Sequence, residues 1–464
     1  MKTVHLIGVC GTAMATLAVL LKKRGFDVRG SDQHVYPPMS EFLIDHGIVL
    51  LDGFRSEHIS DDLDLVVVGN AISRGNPELE AVLDRRQRYA SLPEVLRNEF
   101  LWNVRSVVVA GTHGKTTTAF MLAWALSEAG VDPSFLIGGI SRNFATSGRL
   151  GAGDVFVVEG DEYDSAFFDK TAKFLKYLPE IVVVNNIEFD HADIYRDLDE
   201  LRLTFRRLVR LIPRCGRLIV NADDHGAQSL ADGALCEVES YGFGPSADWQ
   251  AVEIKYGAVE TAFDVVRQGT LVTHVTMRLL GAFNVQNALG SMAAAAAVGV
   301  PPKETAQALH GFRGVKRRLE IRGVAADVTV YDDFAHHPTA VRETLSAMRA
   351  MTPPGRLWAL FEPRSATACH RVFQKQFAES LRLADEVVVT EVYRKNIPES
   401  ERLSERELVS DLTAAGVAAR FVPTVDEVVA VVVAEAKPGD HVVAMSNGGF
   451  GGIHDKLLTA LSAQ

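Results

Sequence analysis

Short, nearly unbroken apolar runs alternate with longer stretches whose apolar residues recur at helical spacing, in three successive blocks. Runs of that kind predict strands buried on both faces with helices packed over them, the arrangement of parallel α/β units. The first block predicts a strand over 3–9, a turn at Gly8-Val9-Cys10-Gly11-Thr12, a helix over 13–23 and a strand over 27–30 ending at Ser31-Asp32. A later strand is expected over 63–69. The second block predicts a strand over 106–110, a tight glycine loop, a helix over 116–128, and strands over 154–159, 181–185 and 217–221. The third predicts strands over 328–331, 357–361, 386–389 and 441–445, the last running into a glycine-rich turn at 446–452 and a final helix.

The pattern changes once. Over 271–279, apolar side chains stand at Leu271, Val275, Met277 and Leu279, with Thr273 interrupting them. Alternation of period two marks a strand with one buried face, and Arg267-Gln268-Gly269-Thr270 supplies a tight turn before it. An antiparallel hairpin added to the parallel sheet is therefore expected, followed by an Ala-rich helix over 288–298.

Composition narrows the function classes. The chain has 464 residues, which at roughly 150 per domain suggests about three domains. Lys and Arg number 48 against 59 Asp and Glu, for a formal net charge of −11. Neither a nucleic-acid backbone nor an anionic lipid surface attracts such a chain. The segment 1–23 has an apolar stretch with basic flanks, but His5, Gly8 and Gly11 break it, and it reads as strand, turn and helix rather than as a leader. No apolar run reaches the ~18 residues of a membrane span. The four cysteines are widely spaced and form no CxxC pair, which fits a reducing, cytoplasmic setting.

The strongest motif is Gly111-Thr112-His113-Gly114-Lys115-Thr116-Thr117, which follows a Val-rich strand and opens a helix. In that context backbone N–H groups and the helix start cradle phosphate oxygens. Lys115 is expected at the β- and γ-phosphates of ATP, and the Thr116 hydroxyl on Mg²⁺. Val109 stands where the usual pattern has glycine, so the loop is a shortened variant. Two further strand ends deliver Glu159 and, after Asn185-Asn186-Ile187-Glu188-Phe189-Asp190, His191. Ligands of open parallel sheets sit beyond such ends, so Glu159 and His191 are expected at the phosphate loop as catalytic and metal-holding groups. Mg²⁺ prefers oxygen, and a His191 that only caps a turn is the competing reading.

These pieces resemble the Mur ligase family along the whole chain. The residues that carry the match include Tyr36-Pro37-Pro38-Met39-Ser40, the phosphate loop, Asp161-Glu162-Tyr163-Asp164, Asn186 to Asp193, Asp332-Asp333-Phe334-Ala335-His336-His337-Pro338 and Glu362-Pro363-Arg364-Ser365. The resemblance implies an α/β protein of three domains. These are a Rossmann-like UDP-sugar domain (1–104), a P-loop ATPase-like domain with the hairpin (105–314) and a Rossmann-like peptide domain (315–464). It implies an ATP- and Mg²⁺-dependent amide ligase acting through an acyl phosphate. Its partners would be UDP-N-acetylmuramate and the recycled murein tripeptide L-alanyl-γ-D-glutamyl-meso-diaminopimelate, with L-alanine as the alternative amine. Asn284, Asn287, Arg318 and Asp333 inherit ATP contacts, with Asp333 on the ribose side. Gly8, Gly11, Thr12, Ser31 and Asp32 are expected at the UDP-sugar, and His336, His337, Arg364 and Asn447 at the peptide. Ser446 to Gly452 reads equally well as a structural turn. Two other classes stay open. A nicotinamide-dependent oxidoreductase would rest on the first glycine turn, whose G-x-x-G spacing fits it poorly. A P-loop sensor would bind ATP without joining anything.

Overall fold

The computed structural model describes residues 2–33, 35, 39–190, 194–257, 259–351 and 355–463. Three large sheets follow one another along the chain. The first has five parallel strands, with Thr3–Ile7 at its centre between Asp27–Asp32 and Leu65–Val68. The central strand stops at Ile7 because Gly8, at φ +81°, leaves the extended region, and the helix Thr12–Lys23 starts soon after.

The second sheet has ten strands. Its parallel centre sets Pro179–Val184, Arg105–Ala110 and Val155–Gly160 side by side, so their carboxyl ends open onto one place. Their valines are fully buried, as continuous apolar runs predict for strands covered on both faces. The helices Lys115–Glu128 and Ala282–Val298 pack together over one face. At the far edge Thr261–Arg267 and Thr270–Met277 form the expected hairpin. Its turn residues Gln268 and Gly269 both have positive φ, +47° and +78°, the two-residue geometry whose twist suits antiparallel strands. Val275 and Met277 are buried but Leu271 is exposed, so the alternation reports the core only in the half that lies over it.

The third sheet has six strands, five of them parallel, with Leu357–Phe361 and His441–Met445 in its interior. An antiparallel edge strand, Glu320–Ala325, was not expected. It turns into Val328–Asp333 through Ala326 and Asp327, both at positive φ (+48° and +60°) with no glycine to mark the turn.

The sheets are joined unequally. One continuous apolar core runs from Leu17, Leu20 and Phe100 of the first block into Phe156, Val182 and Phe205 of the second. The third sheet follows the connector around Gly314, and Phe373 meets Phe189 of the second block at a ring separation of 6.3 Å. Among the described residues no helix is long and apolar enough to cross a membrane.

Candidate functional site

The glycine loop sits where the three central strands end. Gly111 has φ +129°, and a Cβ there would lie 3.0 Å from the backbone nitrogens of Asn185 and Asn186. Gly114, at φ +81°, immediately precedes the helix Lys115–Glu128. The first turn of that helix has N–H groups with no acceptor inside it, the feature that makes a helix start an anion site.

The loop is held to its neighbour by reciprocal bonds. Thr112 N–H donates to the Asn186 carbonyl at 3.0 Å, and His113 N–H to Asn186 Oδ1 at 2.7 Å. The Thr112 hydroxyl accepts from Glu188 N–H at 2.9 Å and donates to the Glu188 carbonyl at 3.0 Å. Below the loop, Asn287 Oδ1 accepts from Thr118 Oγ1 at 3.0 Å, and Asn287 Nδ2 donates to Asn284 Oδ1 at 3.2 Å. Asn284 Nδ2 donates to the Leu280 carbonyl at 2.8 Å. Both asparagines are buried, and their amides brace the loop from beneath, a role that their expected place at the adenine did not include. A Cβ on Gly114 would lie 2.5 Å from Asn287 Oδ1. Gly114→Ala must therefore displace this brace as well as strain φ, and is expected to raise the KM for ATP at least about tenfold, read from an ATP titration of phosphate release.

Lys115 is folded back onto the loop. Its Nζ donates to Glu162 Oε2 at 2.7 Å, to the Gly111 carbonyl at 2.7 Å and to the Thr112 carbonyl at 3.2 Å. Burial works against its charge, but Glu162, Asp161 and Glu159 together raise its pKa above the ordinary lysine value. Reaching a nucleotide's phosphates requires Nζ to leave these partners. Glu159 Oε1 accepts from Thr116 Oγ1 at 2.8 Å, and Oε2 from Gly138 N–H at 2.6 Å. Burial pushes the Glu159 carboxyl above its usual range, with Lys115 and Thr116 pulling the other way. Thr116 and Glu159 thus offer hard oxygen donors in a buried place beside Asp161 and Glu162, a set suited to a hard divalent cation. Thr117 is buried beside them. His191 lies outside the described residues.

In the first sheet, Gly8 and Val9 N–H both donate to the Ser31 carbonyl, at 2.9 and 3.0 Å. Asp32 Oδ2 accepts from Cys10 N–H at 2.9 Å, which places Asp32 on the Gly8 to Thr12 turn, with Gly11 and Thr12 exposed at the helix start. Ser31 is a correction. Its hydroxyl is fully buried and donates to Glu78 Oε2 at 2.5 Å, so only its backbone borders the turn.

In the third sheet the expected residues divide. Arg364 lies beside the turn that holds Asn447: its guanidinium stands 3.9 Å over the Tyr393 ring, and a Cβ on Gly448 would collide with Arg364 Nε. Asn447 Oδ1 is buried and has no hydrogen-bond partner. His337 faces the second sheet rather than Arg364. His337 bonds the Phe189 carbonyl at 3.2 Å, and its ring lies 4.7 Å from that of His113. His336 Nδ1 bonds the Phe334 carbonyl at 3.0 Å. Asp333 stands at the end of Val328–Asp333. It is buried, Oδ2 accepts from Leu319 N–H at 2.7 Å, and Oδ1 accepts from Ala335 N–H at 2.8 Å and Thr344 Oγ1 at 3.2 Å. Those bonds hold the connector. Arg318 lies 5.0 Å over the Phe334 ring.

Comparison with known proteins supplies the family. Residues 3–99 match the model described as Mur ligase family, catalytic domain, residues 109–295 the Mur ligase middle domain, and residues 317–448 the Mur ligase, glutamate ligase domain. A relative from Escherichia coli (strain K12), the UDP-N-acetylmuramate--L-alanyl-gamma-D-glutamyl-meso-2,6-diaminoheptandioate ligase, is 44% identical over 99% of this chain and 98% of its own. The chain belongs to the Mur ligase family.

This Mur ligase is thus an ATP-dependent enzyme that forms amide bonds. A crystal structure of a murein peptide ligase from Psychrobacter arcticus superposes with a TM-score of 0.75 at 38% identity, covering 100% of this chain and 99% of that one. A UDP-N-acetylmuramate--L-alanine ligase from Streptomyces avermitilis is 34% identical over 99% of this chain and 97% of its own. Reading the Mur ligase residue by residue missed Glu162 as the partner of Lys115 and Asn185, Asn186 and Glu188 as the frame of the loop. All stand in motifs already quoted, and an acid or amide just past a buried strand was the available signal.

Proposed function

We propose that the protein joins the lactyl carboxylate of UDP-N-acetylmuramate to the free amine of L-alanyl-γ-D-glutamyl-meso-diaminopimelate at the expense of ATP. The observation that carries the chemistry is the convergence of Lys115, Thr116 and Glu159 at the ends of adjacent parallel strands. Support for the tripeptide over L-alanine comes from the higher identity to the relative named for the tripeptide, 44% against 34%.

The sugar carboxylate attacks the γ-phosphate of ATP, ADP leaves, and an acyl phosphate results. The peptide amine then attacks that carbonyl and phosphate departs. Little covalent work falls to the protein; it must neutralise the transferring group and hold it in line. Lys115 supplies a positive charge once its Nζ exchanges Glu162 and the loop carbonyls for phosphate oxygens. The first turn of Lys115–Glu128 supplies N–H donors to the same oxygens. The buried oxygen donors of Thr116 and Glu159 fit Mg²⁺, with His191 as a further ligand, and the ion would add charge stabilisation on the phosphates. The exposed turn of Gly8, Gly11, Thr12 and Asp32 would take the UDP moiety. Arg364 and Asn447 would take a carboxylate and a polar group of the peptide, since a planar guanidinium suits a carboxylate. The division at 1–104, 105–314 and 315–464 follows these three tasks, and the cytoplasm, which supplies ATP, is the proposed setting.

Phosphate release with UDP-N-acetylmuramate and a panel of amines tests the reading. Turnover is expected with the tripeptide and not with L-alanine alone. Efficient turnover with L-alanine would reassign the substrate, and no amine-dependent release would leave ATP binding without ligation.

A further inference from the structure

The loop after Pro179–Val184 also brings together three side chains that the ligation chemistry does not use. Glu188 Oε2 lies 3.3 Å from His113 Nε2 and 3.6 Å from His337 Nδ1. Donor atoms of all three residues fall within 4.8 Å of one another. Around a tetrahedral ion with bonds of about 2.0–2.1 Å, neighbouring donors stand about 3.3–3.4 Å apart. Two edges of such a tetrahedron are therefore nearly in place.

The donor chemistry agrees. Two imidazoles and one carboxylate suit zinc and its neighbours, with a fourth position left open, and suit Mg²⁺ poorly. His337 is oriented from behind: Nε2–H donates to the Phe189 carbonyl at 3.2 Å, which turns the bare Nδ1 toward Glu188. Nδ1 otherwise receives one long bond, 3.3 Å from Thr339 N–H. Glu188 Oε2 also accepts from Thr339 Oγ1 at 2.5 Å, a bond an ion would share. Burial pushes His337 down to about 3, so its ring is neutral at pH 7. Burial opposes ionisation of Glu188, yet hydrogen bonds from His113 and Thr339 bring its carboxyl down to about 2. Those two groups are thus ready to ligate, whereas His113 Nε2, the donor to Glu188, gives up its proton when an ion binds. A cleft of about 400 Å³ lined by Glu188 and His337 provides an entry path.

We propose that His113, Glu188 and His337 form a binding site for a zinc-class divalent cation, separate from Thr116 and Glu159, that ties the phosphate loop to the third sheet. Because two ligands belong to the second sheet and one to the third, the ion binds only when the two are together, and its binding favours that arrangement. The site does not depend on which amine the enzyme joins.

The test titrates Zn²⁺, and Co²⁺ as its coloured substitute, into the full-length protein without nucleotide, followed by calorimetry and visible absorption. One ion per chain is expected, with the strong absorption of tetrahedral Co²⁺. His337→Ala and Glu188→Gln should each weaken binding at least about 100-fold, while His191→Ala and the surface control His274→Ala should not. Thermal melting of the metal-free variants establishes that they are folded, and if His337→Ala is not, Glu188→Gln decides. Absence of binding overturns the proposal. So does an ion that survives both site variants but is lost in His191→Ala, because it would sit at Thr116 and Glu159 instead.

Discussion

Lys115→Ala is expected to lower phosphate release at least about 10³-fold while UDP-N-acetylmuramate binding stays measurable by calorimetry. The loss has two separable parts. One is catalytic: a point charge at the transferring phosphoryl group disappears. The other is structural, because Lys115 is the partner of Glu162, whose side chain is completely buried. Removing one member of a buried ion pair costs about 3–5 kcal/mol, mostly through the charge left behind. Lys115→Ala alone should therefore melt earlier than the parent. Lys115→Ala with Glu162→Gln, which removes the stranded charge, should recover much of the melting temperature and none of the activity. A double variant that regained turnover would mean that Lys115 only stabilises the loop, and an active single variant would remove the loop from the mechanism.

The second large effect is expected far from the phosphates, at Glu78. This side chain is fully buried at the start of Pro77–Asp84. Oε2 accepts from His5 Nε2 at 3.1 Å and from Ser31 Oγ at 2.5 Å, and Oε1 from His58 Nδ1 at 2.6 Å. With Nε2 of His5 donating, its Nδ1 is buried without a hydrogen-bond partner among the described residues. Glu78→Ala strands these donors and should destabilise the first sheet by about 3 kcal/mol or more, read by urea unfolding. Burial opposes ionisation of Glu78, but the bonds from His5 and Ser31 prevail and hold its carboxyl below the ordinary 4.5. A lowered carboxyl stabilises the fold at pH above its unfolded value and loses that contribution as pH falls through the folded one. Acid below about pH 4.5 should thus loosen the first sheet, and Glu78→Gln should flatten that dependence. Equal acid sensitivity in Glu78→Gln would assign it to other carboxylates.

How far the sequence could be read depended on what each feature needs. The strands Arg217–Asn221, Leu357–Phe361, Glu386–Val389 and His441–Met445 coincide with their expected ranges, because a run of buried β-branched and aromatic residues carries its own signal. Val49–Asp52 and Ala418–Phe421 escaped, being short edge strands with mixed, half-exposed residues. The phosphate loop was legible because strand, glycine, lysine and helix are contiguous. Its partners were not, since Glu162 meets Lys115 only once Arg105–Ala110 and Val155–Gly160 lie side by side. The tandem histidines show what contiguity leaves open. Their motif follows a strand, as a substrate loop does, but the direction in which the side chains leave it is set by the sheet they pack against. Ser31 and Asp333 show the same limit: a polar residue ending a strand marks the site's edge without saying which way its side chain turns.

The uneven joining of the sheets sets which part of the molecule can travel. Parting the first two would strip water-shy surface from Leu17 through Phe205, whereas freeing the third breaks polar latches and the ring contacts of Phe189 with Phe373 and His113 with His337. The stretch 314–319 connects them, with Gly314, Arg317 and Leu319 all at positive φ and Lys316 N–H bonded to the Ile140 carbonyl. Any movement between the blocks is therefore expected to carry the third sheet, with Arg364 and Asn447, while the first two stay joined.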